Sequence, residues 1–235
     1  VVASLRAEVA QLHAELPPLV PGYHTKILDG NHLAASEHRL EELRRTWAAP
    51  LPGQILVVLD HQQMLATEVV LCEDGHAQER SLLGQVLPLV THDDLWIADR
   101  NFCTVDFLGG IAARGGCFVI RQHGQLQGTL IGSRTYKGAI ATGKVYEQRI
   151  EFVNAQGDTL PLRRISVALH EPTRDGDTEI HLLSNVPGRH ASAQTLAASY
   201  GKRWTIETMF QELTDTLTCE VHTLGYPKAA LFGFC

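Results

Sequence analysis

The sequence of 235 residues lacks the features that assign many proteins to a class at once. No apolar run approaches the ~20 residues of a membrane-spanning helix, and the chain does not open with a signal peptide. Its five cysteines are odd in number and show no CxxC spacing, which argues against a disulfide framework and against a zinc site. The twelve histidines are scattered, with no HExxH or HxxxH pair. We therefore expect a globular, cytoplasmic protein with reduced thiols.

The sequence also contains fewer basic residues than acidic ones. Twenty Lys and Arg residues stand against 26 Asp and Glu residues, which gives a formal net charge of −6. Nucleic-acid-binding proteins usually carry a basic excess, so this balance argues against a simple DNA-binding module. A metal-dependent nuclease site is itself acidic, however, and the modules that hold DNA most tightly can lie outside this sequence. Because the chain begins without Met and stops within the apolar run LFGFC, we expect a piece of a longer protein.

The order of apolar and polar segments predicts a mixed α/β fold. Hydrophobic residues make up 44% of the chain, enough for a sizeable core. QILVVL (54–59) is typical of a buried strand, whereas SEHRLEELRRTW (36–47) is typical of a charged surface helix. The predicted elements of this half are a helix over 1–16, a strand over 24–30, a helix over 36–47, strands over 54–59 and 64–71, a helix over 76–90, a strand over 94–99, a helix over 104–113 and a strand over 117–121.

A different pattern occupies residues 123–187. Segments such as TLIGSRTY, KVYEQRIEFV and EIHLLSNV alternate polar and apolar residues, and turn sequences rich in Gly and Asp separate them. This pattern predicts an antiparallel β section. Its aromatic residues Tyr136, Tyr146 and Phe152 are expected to be core residues. Ser192 follows as the predicted cap of the next helix, as Thr104 is of the helix that ends at Ala113.

The last clear helical pattern is Tyr200–Leu217, which predicts one continuous helix. Tyr200, Arg203 and Glu207 fall at i, i+3 and i+7, so a phenol, a guanidinium and a carboxylate share one helical face. An exposed polar stripe with an i,i+4 ion pair is the simplest interpretation of that face. The apolar residues available for the buried side are Trp204, Met209, Phe210, Leu213 and Leu217.

The spacing of Tyr, Arg and Glu in this helix resembles the Tyr-Arg-Glu-Lys signature of DDE-type insertion-sequence transposases, in which the Glu is the third catalytic acid. The string WIADRNF (96–102) is similar to the motif that carries the second acid in the same family. The resemblance extends from about residue 22 to about residue 217. One departure is Thr214, which stands where that family places Lys.

The resemblance implies a ribonuclease H-like mixed sheet that is flanked by helices and interrupted by an antiparallel β insertion. Residues 1–122 would form the first part of the catalytic core and residues 123–188 the insertion. Residues 189–235 would complete the core with the acidic C-terminal helix and a truncated end.

By the same resemblance the catalytic acids are Asp29, Asp99 and Glu207, which would together hold two Mg²⁺ or Mn²⁺ ions. Asp60 follows a stronger strand pattern than Asp29 does. Strand 54–59 should run antiparallel to the strand ending at Asp29, whereas the strand ending at Asp99 should run parallel to it. Asp60 is therefore expected at the opposite edge of the sheet, about 20 Å from Asp99.

Four residues near these acids are candidate DNA-binding residues. Arg203 would bind phosphate in a bidentate manner, and Tyr200 would bind it through its hydroxyl group. Lys202 is a candidate substitute for the missing family Lys, although it projects from another face of the helix. Arg100 would orient Asp99 or contact phosphate, and a structural ion pair is an equal alternative.

The function that the resemblance implies is metal-dependent cleavage of transposon-end DNA and strand transfer into target DNA, with a homodimer as the synaptic assembly. Two alternatives stay open at this point. One is a nuclease of the same fold that hydrolyses DNA without strand transfer. The other is an inactive, transposase-derived remnant or DNA-binding module.

Overall fold

A computed structural model describes residues 16–32, 54–72 and 78–211. The strands are β1 (His24–His32), β2 (Gln54–Asp60), β3 (Leu65–Cys72), β4 (Asp94–Ala98), β5 (Cys117–Arg121), β6 (Thr129–Ile140), β7 (Gly143–Val153), β8 (Thr159–Leu169) and β9 (Glu179–Ser184). They form one sheet in the order β3-β2-β1-β4-β5-β9-β8-β7-β6. The β1–β4 and β4–β5 pairs are parallel and the other pairs are antiparallel. With its helices, this mostly antiparallel sheet makes a mixed α/β fold.

The helices are short, and two begin at the predicted caps. They are α1 (Leu83–Val86), α2 (Val105–Ala113), α3 (Ala193–Tyr200) and α4 (Trp204–Gln211). The Thr104 hydroxyl accepts a hydrogen bond from the Phe107 backbone N–H at 3.3 Å, and the Ser192 hydroxyl accepts one from Thr195 at 3.1 Å. Within the described ranges, no helix is long and apolar enough to cross a membrane.

Two apolar layers cover the two faces of the sheet. Successive residues of a strand point to opposite faces, so Ile27 of β1 enters one layer and Leu28 the other. Helices α3 and α4 add Leu196 and Ile206 to the Ile27 layer, which we call the first face. Helix α2 adds Phe107 to the Leu28 layer, the second face. Burial on both sides explains why the central strands are apolar at nearly every position.

The predicted strands of the first half are all present, but the predicted helix over 76–90 is wrong as a single element. Its described part, from residue 78, contains a 3₁₀ turn (Glu79–Leu82), the single helical turn α1 and a second 3₁₀ turn (Leu87–Leu89). Pro88 lacks a backbone N–H group and cannot continue an α-helix through this point. The predicted helix over 36–47 lies outside the described residues, and so does the predicted helix over 1–16 except for Leu16.

The continuous helix predicted over Tyr200–Leu217 is also wrong. Helix α3 ends at Tyr200, a 3₁₀ turn covers Gly201–Arg203, and α4 begins at Trp204. Phe210 is buried and Met209 packs against the core, as expected, but Trp204 is 57% exposed and Ile206 is buried in its place. Positions 213, 214 and 217 lie outside the described residues.

The antiparallel section predicted after residue 123 consists of β6, β7, β8 and β9. These strands extend the central sheet, because β9 pairs with β5 along Val119–Arg121. The boundaries at residues 123 and 188 stay predictions. Phe152 is buried as expected and Tyr146 is half-buried, whereas Tyr136, on the edge strand β6, is 56% exposed.

Candidate active site

The strand register brings the first two predicted acids to neighbouring positions. In the parallel β1–β4 pair, Leu28 lies opposite Ala98, which is the last residue of β4. The next residue on each strand is an aspartate, Asp29 or Asp99. Neighbouring strands are about 4.8 Å apart, so the two residues start from adjacent backbone positions. Asp29 lies inside a strand that continues to His32, not at the strand end that its Asp-Gly sequence predicted.

The third predicted acid, Glu207, lies near the same position although it is distant in the sequence. Glu207 lies in the first turn of α4, and α4 packs against β1. The Arg203 guanidinium joins it to the first acid: Nη1 is 2.8 Å from Asp29 Oδ2 and 2.6 Å from Glu207 Oε1. Arg203 and Glu207 form the i,i+4 pair that the sequence predicted, with Asp29 as an additional partner.

Tyr200 holds the remaining acid. Its hydroxyl donates a hydrogen bond to Asp99 Oδ1 at 3.3 Å, and the residue is 7% exposed. Burial, and then the charge of Asp99, raise the pKa of Tyr200, so the hydroxyl stays protonated and remains a donor. Sequence reasoning assigned this hydroxyl to a DNA phosphate, but in the structure it is directed to a carboxylate.

Negative charge is in excess at this position. Burial raises the pKa of Asp29 to about 7; Arg203 and the Gly30 backbone N–H oppose the rise, and the charges of Glu207 and Asp99 add to it. Burial lowers the pKa of Arg203. Its neighbours raise that pKa by a larger amount, so the net shift is upward; they are Tyr200, Asp29, Asp99 and Glu207. Three carboxylates thus surround one guanidinium.

This donor set suits a hard divalent cation. Carboxylate oxygens are the ligands that Mg²⁺ and Mn²⁺ prefer, and a divalent ion would offset the excess negative charge around Asp29. In the described ranges no three acidic, His or Cys side chains converge closely enough to hold a metal as they stand. Arg203 explains this arrangement, because its guanidinium lies between two of the three acids.

Comparison with protein families assigns the chain. A family model described as the transposase DDE domain matches residues 25–224, well over half of the sequence. The chain belongs to this family. Membership implies a transposition enzyme that acts on DNA, and DDE transposases generally use a divalent metal. A comparison with curated proteins gives no match.

Two other residues of the transposase domain, Arg100 and Lys202, were predicted to bind DNA, and they have different surroundings. Arg100 follows Asp99, but its guanidinium pairs with Asp175 at 3.1 Å, in the loop between β8 and β9. The structure therefore shows the ion-pair alternative for this residue. Lys202 is exposed, and burial and then the Lys202 charge lower the pKa of His61 in the β2–β3 hairpin. Lys202 thus lies on the hairpin side of the 3₁₀ turn.

Asp60 has a structural environment of its own. It is 3% exposed, pairs with Lys26 Nζ at 2.5 Å and accepts hydrogen bonds from the backbone N–H groups of Gln62 and Gln63. Lys26 is its register partner on β1, three residues before Asp29. Asp60 therefore lies about 10 Å from the level of Asp29 and Asp99 along the strand direction, and two strand spacings from Asp99 across the sheet. The resulting separation from Asp99, roughly 14 Å, is shorter than the expected separation of about 20 Å, because β1 continues past Asp29 and the acid is not at a strand end.

Sequence reasoning missed Arg121, which stands at the end of β5 beside the acids. It pairs with Asp177 at 2.5 Å and its charge reaches Tyr200, whose pKa it lowers against the larger effect of burial. The available signal was its position directly after the apolar strand CFVI, since parallel neighbouring strands end at the same edge of a sheet.

Proposed function

We propose that this domain catalyses metal-dependent cleavage and strand transfer of transposon-end DNA, with Asp29, Asp99 and Glu207 as the catalytic acids. The observation that carries the proposal is the pair of contacts made by Arg203 and Tyr200. Through them, three acids from three distant segments are linked at one end of the β1–β4 pair. The acids follow the chain order Asp, Asp, Glu that gives the family its name.

Each of these side chains has a defined part in the proposal. The acids would hold the divalent ions, which when bound activate the attacking oxygen and stabilise the leaving oxygen of a phosphodiester. Tyr200 orients Asp99 by donating a hydrogen bond to it. Arg203 orients Asp29 and Glu207 and partly neutralises them, which keeps the mostly buried Asp29 close to the half-exposed Glu207.

The finer family placement belongs to the same proposal. We assign the domain to the Tyr-Arg-Glu-Lys subgroup with a ribonuclease H-like core, and β6–β9 are the proposed β insertion. The strands β1, β4 and β5 with α2 and α4 support this placement. Synapsis of two DNA ends by a homodimer, followed by attack on target DNA, is the corresponding assembly.

Activity on plasmid DNA tests the proposal. The substrate is a supercoiled plasmid that carries the terminal repeats flanking the coding sequence, incubated with the full protein in Mg²⁺. We expect nicks at the repeat ends and joined products, both lost in Glu207→Gln and retained in Glu171→Gln, an exposed acid outside the site. Nicking without joining would identify a nuclease instead. No nicking by the unaltered protein would identify a remnant or a binding module.

A further inference from the structure

A cleft of about 380 Å³ opens beside β7, β8, β9 and the loop that follows β5. Its lining includes Gln122, Leu126, Gly128, Ile150, Arg164 and His181. Ile150 and Leu183, the register partner of Arg164, both belong to the apolar layer of the second face. The cleft is therefore on the face of the sheet opposite α3 and α4.

Arg164 is the ionic group at the centre of this cleft. It is half-buried, and its Nε–H donates to Gln122 Oε1 at 2.8 Å. Gln122 is held in turn, because its Nε2 donates to the Leu126 carbonyl at 2.8 Å. Among the described residues, Arg164 forms no ion pair with a carboxylate. Because the Nε contact to Gln122 orients the guanidinium, its Nη1 and Nη2 groups are available to donate to an incoming group.

The charges around Arg164 leave the cleft positive. Arg134 forms a two-pronged ion pair with Glu179, so the nearby carboxylate is already compensated. Burial, and then the charge of Arg164, lower the pKa of His181 to about 4, which leaves that ring neutral at physiological pH. The guanidinium groups of Arg134 and Arg164 thus face one carboxylate, that of Glu179. A half-buried guanidinium without a carboxylate partner is well suited to a phosphate group.

The strand register connects this cleft to the candidate active site. One row of register partners crosses the sheet from Ala98 on β4 to Ile120, Leu183 and Arg164 on β8. Ala98 directly precedes Asp99, so Arg164 is one residue below the level of that acid and three strands away. Three strand spacings amount to about 14 Å across the sheet, and the two side chains project from opposite faces. DNA that reaches both would therefore pass over the edge of the sheet where β4 and β5 end.

We propose that the Arg164 cleft binds a backbone phosphate of DNA that passes over this edge of the sheet, beyond the stretch that lies at the catalytic acids. This inference rests on the proposed function, because it takes the acids as the point of cleavage. It assigns the second face of the β5–β9–β8 region to DNA, with Arg164 as the contact and Gln122 as the residue that orients it.

DNA binding without cleavage tests this proposal. Binding of a fluorescein-labelled 30-base-pair duplex is followed by anisotropy in EDTA, over a series of salt concentrations. Arg164→Gln is expected to weaken binding severalfold and to lower the slope of log affinity against log salt by roughly one. Arg164→Lys, which keeps the charge, should retain the slope. The matched control Arg149→Gln removes an exposed arginine from the opposite face of β7 and should change neither quantity.

Two outcomes would overturn the proposal. One is an Arg164→Gln protein that keeps its thermal midpoint and binds DNA with the slope of the unaltered protein. The other outcome would identify a site for free phosphate instead of DNA. In that case inorganic phosphate would stabilise the unaltered protein but not Arg164→Gln, and the two proteins would bind DNA equally. Because the measurement excludes cleavage, the cleft can fail while nicking persists. Conversely, nicking can fail while Arg164 still contributes to DNA binding.

Discussion

Arg203 Nη1 lies 2.8 Å from Asp29 Oδ2, and the same nitrogen is 2.6 Å from Glu207 Oε1. One guanidinium nitrogen thus occupies the position between two acids that a divalent ion would be expected to take in the proposed site. The pair is well shielded, since the side chains of Arg203 and Asp29 are 12% and 14% exposed. Arg203 is therefore the resident counter-ion of the acids in this arrangement.

Removing the Arg203 charge should strengthen metal binding. Arg203→Met keeps an unbranched side chain in place but leaves Asp29 and Glu207 without their cation. We expect the free energy of unfolding in EDTA to fall by about 3 kcal/mol, because a buried carboxylate loses its partner. Mn²⁺ affinity, measured by calorimetry, should rise roughly tenfold, which is about 1.4 kcal/mol.

The control for this experiment is Arg189→Met, an exposed arginine in the loop before α3. It should leave both quantities unchanged. Weaker Mn²⁺ binding in Arg203→Met would contradict the account, since it would mean that Arg203 supports the metal site instead of competing with it.

Tyr200→Phe should act through Asp99 and not through DNA contacts. The ring stays in the core, so the loss of one hydrogen bond should cost about 1 kcal/mol of stability. Nicking at saturating DNA should slow, because Asp99 loses the donor that orients it, while the salt dependence of DNA binding stays the same. Tyr136→Phe, at the exposed tyrosine of β6, is the control. A shallower salt dependence with full nicking would instead support the phosphate contact predicted from the sequence.

His181 should make stability depend on pH. Its ring accepts or donates a hydrogen bond with Ser166 at 2.9 Å and faces the cations of the Arg164 cleft. The pKa is lowered from 6.5 to about 4, so the folded state disfavours the proton that the unfolded state binds. The stabilisation is therefore complete above about pH 6.5 and is lost progressively as the pH falls towards 4.

Chemical denaturation of the unaltered protein and of His181→Gln between pH 8 and pH 4 measures this effect. The difference in unfolding free energy between the two should shrink by roughly 1–2 kcal/mol over that range, since the ring is partly exposed and solvent screens its charge. His170→Gln, whose ring is exposed, should run parallel to the unaltered protein. A difference that is constant with pH would show that His181 is not protonated selectively in the unfolded state.

Local sequence signals predicted the strands well and the site only in part. β2 and β4 were evident because buried central strands are apolar throughout, and Thr104 and Ser192 were evident as caps. Asp29 was selected only through the resemblance, because Asp-Gly is a turn sequence; pairing with β2 overrides that preference and carries β1 through to His32.

The rest of the site depends on contacts between distant segments. Nothing near Tyr200 in the sequence indicates that its hydroxyl points to Asp99, 101 positions away. The break in the helix at Gly201–Arg203 occurs without a proline, and the helix that follows it, α4, packs against the distant strand β1. Arg164 gave no signal, because its position relative to Asp99 is defined only by the register of four strands.

The most direct test of the acid assignment compares two aspartates on the paired strands β1 and β2. Asp29→Asn and Asp60→Asn make the same chemical change, and only Asp29 contacts the Arg203–Glu207 pair. The measurement is the rate of Mg²⁺-dependent nicking of terminal-repeat DNA by the two folded variants. We expect Asp29→Asn to lose activity by orders of magnitude, and Asp60→Asn to lose stability but to nick at close to the normal rate. Full activity in Asp29→Asn together with none in Asp60→Asn would contradict the acid assignment.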